Sequence, residues 1–145
     1  MEFLTATGKL RRLHMALATA ALILSTASVF GADVVVELLG AEETPPVATS
    51  ATGTGKIKIS VDRTISGEIK TSGMEGTAAH IHIGAPGQSG PPIITLKKGP
   101  DGTWKVPSGA QVTEAQYRSF KSGDLYINVH SADHQSGEIR AQLKP

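Results

Sequence analysis

Lys56-Ile57-Lys58-Ile59-Ser60-Val61-Asp62-Arg63-Thr64-Ile65-Ser66-Gly67-Glu68-Ile69-Lys70 is the stretch that decides the fold class. Over its first half Ile57, Ile59 and Val61 alternate with Lys56, Lys58 and Ser60. A period of two sends these sets to opposite faces of an extended chain, the pattern of an antiparallel strand with one face in a core and the other in water. Asp62-Arg63-Thr64 then interrupts the alternation before the Ile65 segment, so a hairpin is predicted, although the turn lacks a two-residue Asn-Gly signature. Working outward, Val34–Leu39, Ile65–Thr71, Ala79–Ile83, Ile93–Leu96, Leu125–Val129 and Glu138–Leu143 are also short, mostly rich in Ile and Val, and separated by Gly, Pro, Ser or Asp. The expectation is an all-β fold, a Greek-key antiparallel β-sandwich or partly closed barrel. One short crossover helix is predicted from Thr113 to about Lys121. Thr113 can cap it, Gln116 takes the capping-box position, and Ser122-Gly123 ends it. Gly84 to Pro92, with three prolines and three glycines, cannot continue a ladder and reads as a surface loop. Ser66-Gly67-Glu68-Ile69-Lys70 is echoed by Ser136-Gly137-Glu138-Ile139-Arg140, which reads as two strands with like turns and not as a repeat.

The chain has 145 residues, 39% of them hydrophobic, with a formal charge of +1 and no cysteine. That length accommodates one small domain. The absence of cysteine excludes disulfides, thiol nucleophiles and thiolate metal sites, leaving His and carboxylates as metal ligands. Basic and acidic residues are interspersed along the chain, so nucleic acid is not an expected partner.

Residues 1–32 differ in composition. Lys9, Arg11 and Arg12 form a basic start, Met15 to Leu24 are apolar, and small residues follow from Ser25 to Ala32. This reads as a secretory signal peptide followed by a domain over 33–145, in a secreted or periplasmic protein with no membrane span once the leader is removed. The apolar run is short for a spanning helix, so a retained anchor is the lesser reading. Several small residues fit the cleavage site. Removal takes away Glu2, Lys9, Arg11 and Arg12, and the remainder carries one more acid than base, a formal charge of −1. Of the five histidines, His80, His82, His130 and His134 stay.

His80-Ile81-His82 carries the main chemical signal. On a strand, residues i and i+2 project to one face, so both imidazoles point the same way. His130 follows the Leu125–Val129 strand, and His134 lies in the polar stretch beyond it. Imidazoles without thiolate suit copper(II), zinc or nickel, and the affinity order among divalent ions favours copper over zinc. The competing reading is that these histidines only hydrogen-bond loop carbonyls at strand ends. Glu138 reads as an exposed strand start, and Arg140, two residues on, as its partner in a solvated charge pair. Trp104 and Tyr126 read as core or core-edge aromatics, either of which can shield a metal site. Hydrolase motifs and phosphate-cradling glycine loops are absent.

Three blocks together resemble the CHRD domain family, named for the repeats of chordin and found also as single secreted domains in bacteria. They are Leu38-Leu39-Gly40-Ala41-Glu42-Glu43-Thr44-Pro45-Pro46-Val47, His80-Ile81-His82-Ile83-Gly84-Ala85-Pro86-Gly87 through Gly90-Pro91, and Leu125-Tyr126-Ile127-Asn128-Val129-His130 through Gly137-Glu138-Ile139-Arg140. In chordin such domains belong to an extracellular antagonist of growth factors, so the resemblance implies a fold and an extracellular setting more than an activity. A looser resemblance is to copper/zinc superoxide dismutase, whose copper is held by an H-x-H strand pair and a histidine ending a later strand. His80, His82 and His130 match those positions in order, and Arg140 falls downstream where that family has an anion-guiding arginine. The chain departs from it by lacking a bridging histidine, a zinc-site His/Asp series and disulfide cysteines. These readings favour an exported binding module holding a transition metal, preferably copper, through His80, His82 and His130, with His134 as a fourth ligand or a supporting residue and no catalytic residue assigned. The alternative is an extracytoplasmic structural or protein-interaction module without metal. A copper-dependent, superoxide dismutase-like oxidoreductase ranks third.

Overall fold

The computed structural model describes residues 31–145. The expected leader over 1–32 therefore lies almost wholly outside the described residues. Nine strands form one sheet: β1 (Ala32–Leu39), β2 (Thr52–Ile59), β3 (Ile65–Ser72), β4 (Gly76–Ile83), β5 (Pro92–Thr95), β6 (Lys97–Lys98), β7 (Thr103–Lys105), β8 (Leu125–Ser131) and β9 (Ile139–Leu143). Their order across the sheet is β5-β4-β8-β9-β1-β2-β3-β7-β6, with every pairing antiparallel. The β1-β2-β3 meander with β9 returning beside β1 is the Greek-key arrangement. The two outermost strands, β5 and β6, are consecutive in the chain with only Leu96 between them. The ends of the sheet therefore meet, giving a nearly closed barrel. Leu96 lies buried at the junction, and its N–H donates to the Ala79 carbonyl at 2.9 Å.

The alternation in the opening stretch does what was expected of it. Ile57 and Ile59 are buried, and the hairpin pairs Lys56 with Glu68 and Ile59 with Ile65. The Asp62 carboxylate accepts from the Thr64 N–H and hydroxyl at 3.0 and 2.7 Å, while Arg63 takes a positive φ of 70° to close the turn. Val61 differs from expectation. It lies past the end of β2 and is 53% exposed, because the strand stops at Ile59. Two short strands, β6 and β7, were not anticipated. The helix α1 (Glu114–Lys121) has the predicted Thr113/Gln116 capping box, and it also contributes buried Phe120 to the core, more than a bare crossover would. Among the described residues no helix is long and apolar enough to cross a membrane.

The inner faces of both halves of the sheet meet in one apolar core that includes Leu38, Ile69, Ile81, Ile127, Val129 and Ile139. The outer faces differ. On β2 and β3 the outward residues are exposed or half-exposed, as on a sheet wetted on one side. Along β8 the pattern is buried almost throughout, so its outward side chains Tyr126, Asn128 and His130 lie under something else. That cover is made by the loops over 84–91, 132–138 and 43–46.

Candidate metal centre

β4 pairs with β8 in the register His80 with Asn128 and His82 with Tyr126, and β8 pairs with β9 in the register Asn128 with Arg140 and Tyr126 with Gln142. Directly opposite residues share a face. These pairings therefore gather His80, His82, Tyr126, Asn128, His130, Arg140 and Gln142 into one polar layer on the outside of three adjacent strands.

Within it, His80, His82 and His130 each offer a ring nitrogen, and the three lie within 4.8 Å of one another. His82 is buried; His80 and His130 are half-buried. Two of the tautomers are fixed by carbonyl oxygens, which can only accept. His82 Nδ1 must donate to Gly90 O at 2.8 Å, and His130 Nδ1 must donate to Gln135 O at 2.9 Å. In a neutral ring held this way the lone pair is on Nε2, the orientation that metal-ligating imidazoles take from their outer partners. His80 Nδ1 lies 2.9 Å from His130 Nε2, so in the metal-free protein a single proton bridges these two rings. His82 Nε2 is buried and has no hydrogen-bond partner. Burial, and then the proximity of His130 and His82, holds His80 below the ordinary imidazole value of 6.5. Burial does the same for His82 against the opposing pull of the Gly90 carbonyl. Both rings are neutral at pH 7 and able to ligate. The donor set thus fits a transition ion that accepts imidazole nitrogen.

His134 is not in this trio. Its carbonyl accepts from the N–H groups of Ser131 and Gly137, and its charge acts on Glu138. Tyr126 shields the site as the sequence allowed, its ring stacked on His82 at 4.7 Å and 5°. Trp104 instead sits in the core near Gly76 and Val129. The solvated pair expected of Glu138 and Arg140 is overturned. Arg140 is only 2% exposed and Glu138 is buried, because the covering loops close over this face. Arg140 Nη1 donates to Gln88 O at 2.9 Å, and Nη2 donates to Ala85 O at 3.2 Å and Gln142 Oε1 at 3.0 Å. Its guanidinium carbon lies 3.6 Å from the centroid of the Tyr126 ring. Because β8 lies between β4 and β9, Tyr126 stands with His82 on one side and Arg140 on the other. Arg140 therefore clamps the 84–91 loop and does not present a free guanidinium to anions. Burial raises Glu138, but bonds from the hydroxyls of Ser131 and Thr49 and the charge of His134 outweigh it and leave the carboxyl below its usual range. The Thr49 hydroxyl donates to Glu138 at 2.6 Å.

Sequence reasoning assigned no role to Glu43, Asn128 or Gln142. The available signal was spacing, since Tyr126, Asn128 and His130 alternate along one face of β8. Gln142 Nε2 donates to Gly84 O and Gly123 O at 2.7 and 2.8 Å, tying two loops to the barrel. Glu43, also buried, carries a carboxyl pushed up by desolvation against the pull of Asn128, the Thr44 N–H and Arg140.

The fold and this layer define a small antiparallel β-barrel domain with a histidine-bearing polar side. The model of the CHRD domain family matches residues 34–143, and the chain belongs to that family. No curated protein and no solved structure matches the chain.

Proposed function

We propose that this CHRD domain is an exported module that binds a transition-metal ion, copper(II) foremost, through His80, His82 and His130. The observation that carries the reading is the convergence of three imidazoles whose ring nitrogens lie within 4.8 Å of one another, two of them held at Nδ1 by backbone carbonyls. Copper(II) stands above zinc in the affinity order of divalent ions for nitrogen ligands. Binding would displace the proton shared by the His80 and His130 rings, and that proton would pass to His80 Nε2, so that the His80 ring stays neutral with Nδ1 turned to the ion. His134 is the candidate for a supporting role outside the trio.

The test is copper(II) titration of the metal-free protein with electron paramagnetic resonance. One equivalent of copper should bind with nitrogen couplings, and His80→Ala/His82→Ala should lose at least about 100-fold in affinity, since loss of an outer partner of a ligand already costs about 10–100-fold. Unchanged affinity in that variant overturns the reading. The 2.9 Å contact between His80 Nδ1 and His130 Nε2 favours the second reading, in which the rings serve only to bond one another and the loops in a structural or protein-interaction module. That reading predicts folding and stability indifferent to copper.

A further inference from the structure

Four buried side-chain polar atoms lack a hydrogen-bond partner among the described residues, and three of them lie in the polar layer or in the loop that covers it: His82 Nε2, Asn128 Oδ1 and Glu43 Oε1. The fourth, Trp104 Nε1, lies elsewhere in the core. The three side chains are all more than nine-tenths buried, with Glu43 7%, His82 8% and Asn128 2% exposed. They are neighbours as well. The Asn128 amide is close enough to influence both the Glu43 carboxyl and the His82 ring, and Glu43 and Asn128 press together over Gly137. A Cβ at Gly137 would collide with Glu43 Oε1 and come within 2.6 Å of Asn128 Nδ2, so the glycine makes room for the pair.

What the three atoms share is chemical. Each is an acceptor: a carboxyl oxygen, an amide oxygen, and an imidazole nitrogen whose proton is committed to the opposite side of the ring. Buried acceptors left unpaired are costly, and acceptors alone cannot satisfy one another. What satisfies such a group is a cation together with a small donor. Resting on the metal reading above, which assigns His82 Nε2 to the ion, we propose that Asn128 and Glu43 are positioning residues for a water molecule that completes the coordination of the ion. Its two protons are accepted by Asn128 Oδ1 and Glu43 Oε1. Three nitrogens and one oxygen make the four equatorial donors of a tetragonal copper(II) site. The position held by these two residues is exchangeable, the place where a ligand of the size of water or azide would enter.

The experiment is pulsed electron–nuclear double resonance on the copper(II)-loaded full domain in H2O and in D2O, with azide titration followed by absorbance. In the wild type, strongly coupled exchangeable protons should appear and azide should displace them. Asn128→Leu should still bind one equivalent of copper through the histidines while losing that proton signal and shifting azide affinity at least about fivefold. Asn128→Asp, which keeps an acceptor oxygen, should retain the signal. Copper bound with nitrogen couplings but without exchangeable protons in the wild type overturns this inference and leaves the metal reading intact. So does a proton signal unchanged in Asn128→Leu. Failure of the wild type to bind copper overturns both. The wild-type measurement decides even if the leucine variant does not fold.

Discussion

Ser66-Gly67-Glu68-Ile69-Lys70 on β3 and Ser136-Gly137-Glu138-Ile139-Arg140 leading into β9 are nearly the same words in two settings. Their backbones agree. Gly67 and Gly137 have φ of 132° and 130°, a region side-chain-bearing residues seldom enter, and Ile69 and Ile139 both point into the core. Their charges part company. Glu68 and Lys70 are exposed, and Glu68 meets Lys105 at 3.2 Å on the wet face of the sheet. Glu138 and Arg140 are buried under loops that the second segment itself helps to hold. Local sequence sets which side of the strand a residue occupies. What lies over that side is set by strands and loops distant in the chain.

Breaking the comparison should have its largest effect at the last residue. Arg140→Ala leaves the carbonyls of Ala85 and Gln88 without their donor and removes the group stacked on Tyr126, and should cost about 3–4 kcal/mol in chemical denaturation. Lys70→Ala should change stability by less than about 0.5 kcal/mol. Equal effects would mean that the covering loops stay in place without the guanidinium.

Next come the glycines. An alanine at either suffers the strained φ and a collision, so each should lose about 2–3 kcal/mol. The obstacles differ. At Gly67 they are the backbone of Lys56 and Ile57, whereas at Gly137 they are the side chains of Glu43 and Asn128. Gly67→Ala should therefore leave copper binding unchanged, and Gly137→Ala should alter the copper spectrum. Identical copper spectra in the two variants would separate the polar pair from the metal centre.

The smallest difference is expected at the glutamates. Glu138 sits below its ordinary value of 4.5 in the folded protein, so the native state favours its ionised form. Its stabilisation is fully present above pH 4.5 and is lost as pH falls through the lower folded value. Glu138→Gln should flatten the stability–pH curve in that acid window and cost about 1 kcal/mol at neutral pH. Glu68→Gln removes one surface pair and should cost less than about 0.5 kcal/mol. The histidines act in the opposite part of the scale. His80 and His82 lie below 6.5 when folded, so the unfolded chain takes up protons first and stability declines as pH drops past 6.5.

The barrel was legible in the sequence where periodicity was long enough to speak, as in Lys56–Ile59, and where a cap supplied a boundary, as at Thr113. Lys97-Lys98 and Thr103-Trp104-Lys105 are too short and too charged to show a period, so β6 and β7 went unseen. The H-x-H spacing placed His80 and His82 together. That His130 joins them depends on β4 pairing with β8 across a connection of more than forty residues, which no local pattern encodes. The burial of Glu138 and Arg140 was misread for a related reason. Alternation reports an outward face, and it carries no information on whether a loop closes over it.

The single buried residue at the meeting of β5 and β6 has a bearing on self-association as well as on shape. A barrel without disulfides depends on not offering its margins to other molecules, since an open strand edge is a template for aggregation. Here the two margins are successive pieces of one chain, joined at Leu96 and short enough that one begins with proline and the other is a pair of lysines. The covalent chain acts as a clasp where a cystine would otherwise serve, and the molecule is left with little edge on which a second copy can grow.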